Sequence, residues 1–202
     1  APELFLLGDN PIYAEAGKAY TDPGAYAFDG YDIELTDTIE ITGLPLDTSV
    51  LGEQIIVFHV TDSSGNSADP LTRTVLVQDT TPPVITLLGS TPITLEVFST
   101  YEDAGATVYD SFYGDLTEGI QTLNNVNTQK IGTYAVTYSI TDGSGNQAAH
   151  AVRRVQIVDT TRPILTLNGS AKIEIPYVTA YTDAGAQATD NYDGNLTSSI
   201  EV

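Results

Sequence analysis

Apolar residues alternate with small or polar residues along several short segments of this chain. The clearest case is the segment 134–141, whose apolar positions are Tyr134, Val136, Tyr138 and Ile140. The segment 56–60 has the same alternation. A period of two places successive side chains on opposite faces of an extended strand, so each segment predicts a β-strand with one buried face.

Further strands are predicted between clusters of Gly, Asp, Asn, Ser and Pro, which favour turns. In the middle of the chain they are 84–88, 93–97, 104–109, 119–123 and 151–158. No segment of ten residues or more shows a convincing helical period. Six or seven short strands in about 80 residues are typical of a small Greek-key β-sandwich.

The sequence repeats itself with a nearly constant step. Tyr-x-Asp-x-Gly-Ala occurs at 20–25, 101–106 and 181–186, so its Asp recurs after 103 − 22 = 81 and 183 − 103 = 80 residues. Thr-Asp-x-Ser-Gly-Asn occurs at 61–66 and 141–146, and Asp-Thr-Thr-x-Pro at 79–83 and 159–163. The repeats therefore predict three domains. Their bounds are 1–79, 80–159 and 160–202.

The third repeat is expected to be only the first half of a domain. It lacks the long alternating strand, the Thr-Asp-x-Ser-Gly-Asn loop and the closing strand that the second repeat has at 132–159. Half a sandwich leaves apolar faces uncovered and strand edges unpaired. Three explanations are open: the parent chain continues, a later part is unseen, or another molecule completes the sheet by strand addition.

The charge of the chain excludes several partners. It has 7 Lys+Arg against 27 Asp+Glu, a formal net charge of −20, which repels nucleic acid and anionic membrane surfaces.

The chain has no cysteine, which excludes disulfides and thiolate metal sites and favours a prokaryotic surface protein. No stretch approaches the roughly 18–20 apolar residues of a membrane span, and residues 1–4 do not resemble a signal peptide.

The motifs together resemble a known family. Pro-Val-Ile-Thr-Leu-Leu-Gly at 83–89, Asp-x-x-x-Gly-Asp-Leu-Thr at 110–117 and Gly-Thr-Tyr-x-Val-Thr-Tyr at 132–138 resemble the bacterial immunoglobulin-like and hyalin-repeat-like domains. The resemblance implies an all-β chain of tandem immunoglobulin-like Greek-key β-sandwiches arranged as a rod. Such domains occur in tandem in surface proteins, adhesins and secreted enzymes, where they serve mainly as spacers, stalks and accessory modules.

Acidic loops are expected to meet where one domain follows another. If successive strands run in alternating directions, the linker residue Asp79 lies next to the loops of the second repeat. The same alternation places the Tyr-x-Asp-x-Gly-Ala loop of the first repeat at this junction. The predicted metal ligands at this first junction are Asp22, Asp79, Asp110, Asp115, Asp142 and Asn146. At the second junction they are Asp103, Asp159, Asp190 and Asp193, with Asn195 nearby.

Calcium is the cofactor that these loops favour, because it takes six to eight oxygen ligands. The glycines Gly114, Gly145 and Gly194 lie within the loops, where their freedom lets a backbone carbonyl turn toward an ion. The two histidines, His59 and His150, are on different strands, which disfavours a transition metal. The alternative is that these Asp and Asn residues only form turns.

The sequence therefore predicts a structural or spacer segment of an extracellular cell-surface or secreted protein: an adhesin stalk, a surface coat or a filament. Its partners would be neighbouring Ig-like domains of the same chain or of adjacent subunits. The rival hypothesis is a glycan- or protein-binding accessory module, with Tyr109, Phe112 and Tyr113 as an exposed aromatic spot or as packing at the junction. No enzyme is expected, since the carboxylate pairs recur in turns and no nucleophile or phosphate-binding motif is present.

Overall fold

The computed structural model describes residues 1–30 and 33–202, and over these residues the chain is all-β. In the described part of the chain, three single-turn 3₁₀ helices interrupt the strands, at Thr36–Thr38, Thr117–Gly119 and Thr197–Ser199. Within the described ranges, no helix has the length and apolar character needed to cross a membrane.

The strands follow the repeats. In the first repeat they are β1 (Glu3–Leu6), β2 (Ile12–Glu15), β3 (Ala25–Asp29), β4 (Ile33–Glu34), β5 (Glu40–Thr42), β6 (Gly52–His59) and β7 (Leu71–Gln78). In the second they are β8 (Val84–Leu87), β9 (Ile93–Glu96), β10 (Ala106–Asp110), β11 (Gly114–Asp115), β12 (Gln121–Asn124), β13 (Gly132–Ser139) and β14 (Ala151–Val158). In the third they are β15 (Ile164–Leu167), β16 (Ala186–Asp190) and β17 (Gly194–Asn195).

The first repeat has a three-stranded sheet, β1-β3-β4, and a four-stranded sheet, β2-β7-β6-β5. The chain changes sheet between β1 and β2, so that β1 pairs antiparallel with β3 and β2 pairs parallel with the second half of β7. The alternating apolar residues of both sheets form one core, which contains Leu4, Ala27, Ile56, Phe58 and Val75. This core confirms the predicted sandwich.

The later repeats reuse this plan. The second has the sheets β8-β10-β11 and β9-β14-β13-β12, and the third has the sheet β15-β16-β17. Leu165 pairs with Ala188 in the third repeat as Leu4 pairs with Ala27 in the first. Leu165 is 62% exposed, however, whereas Leu4 is 9% exposed. The inner face of the β15-β16-β17 sheet is therefore largely uncovered in this structure.

Most predicted strands are confirmed to within about two residues. The segment predicted at 119–123 starts later, at Gln121, because Thr117–Gly119 forms a 3₁₀ helix. The pattern gave no sign of the two-residue strands β4, β11 and β17, which are too short to show a period.

Contacts divide the chain into two compact units. The first contains 1–86, 106–121 and 138–151, with the core already described and a smaller cluster around Val108 and Ile140. The second contains 87–105, 122–137 and 152–202, with a core around Val155 and Ile157. The domain boundaries at 79 and 159 remain predictions from the repeats.

Candidate metal centre

The linker carboxylate of Asp79 directly follows β7, whose alternating residues Val75 and Val77 are buried in the core. Continuing the strand by two residues places Asp79 toward the same side, and it is buried. Its Oδ1 accepts a hydrogen bond from the Thr81 N–H at 3.2 Å. The Asn146 amide donates to the Asp79 backbone carbonyl at 3.1 Å and approaches its Oδ2 at 3.3 Å. The linker is thereby tied to a loop of the second repeat.

Asp110 is the last residue of β10, in which buried and exposed residues alternate strictly. It lies on the same face as Ala106 and Val108, and only 1% of it is exposed. Its Oδ1 accepts hydrogen bonds from the backbone N–H groups of Phe112 and Tyr113, at 2.7 and 2.9 Å. Its Oδ2 is buried and, among residues 1–30 and 33–202, has no hydrogen-bond partner. An unpartnered buried carboxylate oxygen is costly, so this atom calls for a cation or a proton.

Asp142 organises the Thr-Asp-x-Ser-Gly-Asn loop that follows β13. Its Oδ1 accepts from the N–H groups of Ser144 and Asn146, at 2.9 and 2.8 Å. The Asn146 amide donates to Asp142 Oδ2 at 2.9 Å. These bonds fix the loop, and the Asn146 amide links Asp142 to Asp79.

Asp79, Asp110 and Asp142 form a group in which one oxygen from each lies within 4.8 Å of the others. Burial raises the pKa of Asp79, and the Asp110 and Asp142 carboxylates raise it further against the opposing hydrogen bonds of Thr81 and Ser144. Over residues 1–30 and 33–202, no ion pair involves any of the three. Calcium–oxygen distances of about 2.3–2.6 Å allow two ligands of one ion to be up to about 5 Å apart, so the group fits calcium.

A second, more open group repeats this arrangement. Asp159, Asp190 and Asp193 also present oxygens within 4.8 Å of one another. Asp190 Oδ1 accepts from the N–H groups of Tyr192 and Asp193, at 2.8 and 3.1 Å. Partial burial raises the pKa of Asp159, with added contributions from Asp190 and Glu96. Asp193 is exposed, so this group is less shielded from water than the first.

The remaining predicted ligands are not brought into either group. Asp115 is exposed and accepts from the Thr117 N–H at 2.9 Å; hydrogen bonds from Thr117 lower its pKa. Asn195 Oδ1 accepts from the Thr197 N–H at 3.0 Å. Asn146 contacts the first group, but with its amide nitrogen, which is not a metal ligand, facing Asp79 and Asp142.

Asp22 and Asp103 contact arginines instead of facing the junctions. Asp22 Oδ2 lies 2.9 Å from Arg73 Nε, and Asp103 Oδ2 lies 2.9 Å from Arg153 Nε. Arg73 precedes Asp79 by six residues, about 20 Å of extended strand. The structure therefore places Asp22 and Asp103 beside these arginines and not at the junctions, where the alternation of strand directions had put them.

Sequence reasoning also missed two glutamates. Glu15, the last residue of β2, accepts hydrogen bonds from the hydroxyls of Thr80 and Thr81, at 2.7 and 2.6 Å. Glu96, the last residue of β9, does the same with Thr160 and Thr161. Both fasten the Thr-Thr segment that follows each linker aspartate. Their 81-residue spacing was the signal that could have revealed them.

The aromatic residues that sequence analysis grouped do not form one exposed spot. Phe112 packs against the core of the first repeat and stacks edge-on with Tyr113. The Tyr113 hydroxyl lies 3.0 Å from Ser144 Oγ. Tyr109 is 64% exposed, but Phe112 and Tyr113 are partly buried. Phe112 and Tyr113 therefore pack beside the acidic group and do not form an exposed binding spot with Tyr109.

Relatives among curated proteins are longer than this chain. An uncharacterized 81.3 kDa protein of Acholeplasma phage L2 is 31% identical over 192 residues, which is 89% of this chain and 25% of that protein. Hyalin of Strongylocentrotus purpuratus is 29% identical over 180 residues, 85% of this chain and 15% of hyalin. The chain thus spans a quarter or less of the length of these two relatives.

The comparisons also support the fold and the predicted family. A solved Clostridium perfringens structure, the M60 catalytic domain of ZmpB with its CBM51-1 and CBM51-2 domains, matches with a TM-score of 0.50 and 12% identity, over 85% of this chain and 33% of that one. At this identity the likeness concerns the fold alone. The profile of the family described as "Bacterial surface protein, Ig-like domain" matches residues 4–77 and 85–157. Since these two matches cover most of the chain, it belongs to the family of bacterial surface protein Ig-like domains.

Proposed function

We propose that this chain is a non-catalytic, extracellular segment of a surface or secreted protein, in which tandem Ig-like domains space or project other parts and calcium fixes the domain junctions. The observation that carries the proposal is the convergence of Asp79, Asp110 and Asp142, with the Asp110 Oδ2 atom buried and without a hydrogen-bond partner in the described part of the chain. These residues come from a linker and from two loops distant in sequence. A turn-forming role explains their Oδ1 hydrogen bonds but not their convergence.

Calcium is favoured over other ions because every group member is a carboxylate. Hard oxygen ligands suit calcium or magnesium, and magnesium demands stricter octahedral geometry and gives up its water reluctantly. The bound ion would supply positive charge to three mutually repelling carboxylates. Because Asp79 lies on the linker and Asp110 and Asp142 on loops of the second repeat, the ion would hold the linker against those loops.

Calcium at the Asp159 group would act in the same way on the next linker. This group has the more exposed third member, Asp193, and the described residues contain no counterpart of the Asp142 loop there. We therefore assign it the weaker affinity of the two.

An accessory binding module is the second candidate function. Its support is a set of exposed rings on the first repeat, Phe5, Tyr26 and Phe28, which neither the core nor the acidic group uses. A catalytic role has less support, because the same kind of carboxylate group occurs twice and each group includes a linker aspartate, Asp79 or Asp159.

The test compares Asp110→Asn with Asp115→Asn by calcium titration in a calorimeter and by thermal unfolding. Extracellular calcium modules bind with Kd of about 10⁻⁴–10⁻³ M, and free calcium at about 100 times Kd stabilises a site by roughly 2.7 kcal/mol. The unchanged protein should gain stability from calcium. Asp110→Asn should lose one binding event, and Asp115→Asn should bind as the unchanged protein does.

The same pair of variants gives a second readout in chelator. Without calcium, Asp110→Asn removes one of three repelling charges and places an amide donor beside Asp79, so its melting temperature should equal or exceed that of the unchanged protein. With calcium the order should reverse. Identical melting with calcium and with chelator would refute the metal proposal.

A further inference from the structure

Three aromatic rings form a stacked platform on the outer face of the β1-β3-β4 sheet. Phe5 on β1 and Tyr26 and Phe28 on β3 are 37%, 41% and 38% exposed. Their ring centroids are 5.1 to 6.5 Å apart and their planes are within 17° of parallel. We call Phe5, Tyr26 and Phe28 the aromatic platform.

The fold does not require aromatic residues at these positions. In the second repeat Phe5 and Tyr26 correspond to Thr86 and Thr107, which lie on the equivalent strands β8 and β10. In the third repeat the pair Phe5–Tyr26 corresponds to the cross-strand pair Thr166–Gln187. The equivalents of Phe28 are Tyr109 and Thr189. The cluster of rings is thus a property of the first repeat and not of the family's core.

Two carboxylates flank the platform. Phe28 is directly opposite Glu3 on one neighbouring strand and Glu34 on the other, so all three side chains share the outer face. Glu3 and Glu34 are exposed, and among the described residues neither forms an ion pair. The strands of this sheet, 3–6, 25–29 and 33–34, contain no lysine or arginine.

Charge decides which occupant suits this face. The net charge of −20 opposes anionic partners and also opposes a second copy of the chain. A guanidinium or ammonium group stacks on an aromatic face and pairs with a neighbouring carboxylate, and Arg does both with one planar group. A neutral sugar would use the rings but would leave the two negative charges uncompensated.

We propose that the aromatic platform, with Glu3 and Glu34, is a docking surface for an arginine- or lysine-bearing segment of another polypeptide. The site is separate from the calcium groups, so it goes beyond the proposed spacer function and does not depend on it. Long-range attraction by the acidic chain would raise the encounter rate, and the rings would make the contact specific.

The test uses a synthetic peptide of alternating arginine and glycine, measured by calorimetry at about 0.15 M salt, where free charges are screened beyond about 8 Å. The triple variant Phe5→Thr/Tyr26→Thr/Phe28→Thr removes the platform without changing the charge. Its control, Tyr13→Thr/Tyr109→Thr, removes two exposed rings elsewhere. We expect at least tenfold weaker binding for the triple variant and no change for the control.

Further arms separate the alternatives. The double variant Glu3→Gln/Glu34→Gln should weaken peptide binding at least as much as a variant that neutralises any other two exposed carboxylates. Circular dichroism should show that each variant is folded. Equal binding by the triple variant and the unchanged protein would overturn the proposal. Platform-dependent binding of cellohexaose without peptide binding, or platform-dependent dimerisation, would overturn it in favour of a glycan or a second copy. The measurements are repeated in chelator, where the platform should still bind.

Discussion

Two arginines, Arg73 and Arg153, hold the corners at which the chain changes sheets. The Arg73 guanidinium donates to the carbonyls of Leu7 and Asp9, between β1 and β2, and to that of Gly24. In the second repeat the Arg153 guanidinium donates to the carbonyls of Leu88, Ser90 and Gly105. Its Nε also donates to Asp103 Oδ2. Both arginines are fully buried. A planar, permanently charged fork suits a corner with several carbonyls and one carboxylate.

Removing one of these guanidinium groups should be severely destabilising. Arg153→Met removes the cation that pairs with Asp103 and one donor to each of three carbonyls, and breaking a buried pair from one side costs about 3–5 kcal/mol. The matched control is Arg154→Met, because Arg154 is the next residue on β14 and is exposed. Urea unfolding should show the loss for Arg153→Met and a change within about 0.5 kcal/mol for Arg154→Met. Equal stability of the two variants would contradict the corner's role.

Glu96 gives the protein a stabilising term that acid removes. Hydrogen bonds from Thr160 and Thr161 lower its pKa to about 2. A depressed folded-state pKa stabilises the fold above the unfolded pKa of about 4.5, and the effect is lost as pH falls from there toward 2. Glu96→Gln should therefore melt below the unchanged protein at pH 7, and the difference should shrink through this window. A difference that stays constant down to pH 2 would show that ionisation of Glu96 is not its cause. Asp79 and Asp159 act in the opposite sense, because their pKa values are raised.

The loop 141–147 is built as a unit around one carboxylate and one glycine. Asp142 accepts the N–H groups of Ser144 and Asn146, while Gly145 donates back to the Asp142 carbonyl. Gly145 has a φ of 92°, in the region that favours glycine. The bridge Thr141–Gln147 closes the loop. Its fixed shape is what holds Asp142 within reach of Asp79 and Asp110.

Gly145→Ala should strain this loop and weaken calcium binding together. A left-handed conformation costs a non-glycine residue about 1–2 kcal/mol, so stability should fall by that order and the calcium affinity of the first group should fall with it. Gly132→Ala is the control, because an added Cβ there meets only ordinary contacts and its φ lies outside the positive region. Unfolding and calcium titration of both variants check the prediction; unchanged affinity in Gly145→Ala would mean that the loop is not part of the site.

The strands and the first acidic group were predictable, because alternation and repeat spacing are local signals. The positions of Asp79, Asp110 and Asp142 could be predicted because each lies at or just after the end of a strand, and these three strand ends meet. Asp22 and Asp103 were misplaced because the count treated β1 and β2 as running the full length of the domain. The chain instead changes sheet between them, and β2 pairs only with the second half of β7. Asp22 consequently lies beside Arg73, near the start of β7. No short-range pattern encodes that corner.

The large negative charge acts on the whole chain and separately from the two acidic groups. The chain has 27 acidic and 7 basic side chains, so carboxylates far outnumber the basic groups that could pair with them, and their mutual repulsion opposes the folded state. Salt weakens this repulsion without binding at a particular site. Calcium adds an effect that depends on the geometry of Asp79, Asp110 and Asp142. The two contributions can be separated by experiment.

Sodium chloride should stabilise the chain even in chelator. Raising its concentration from about 0.01 M to about 1 M shortens the screening length from about 30 Å to about 3 Å, so the melting temperature should rise. Millimolar calcium at constant ionic strength should add a further rise that saturates. In Asp110→Asn/Asp190→Asn the response to sodium chloride should remain and the saturable response to calcium should disappear. Potassium chloride serves as the control for ion identity and should match sodium chloride. A melting temperature that falls with salt would show that attractive ion pairs outweigh the repulsion.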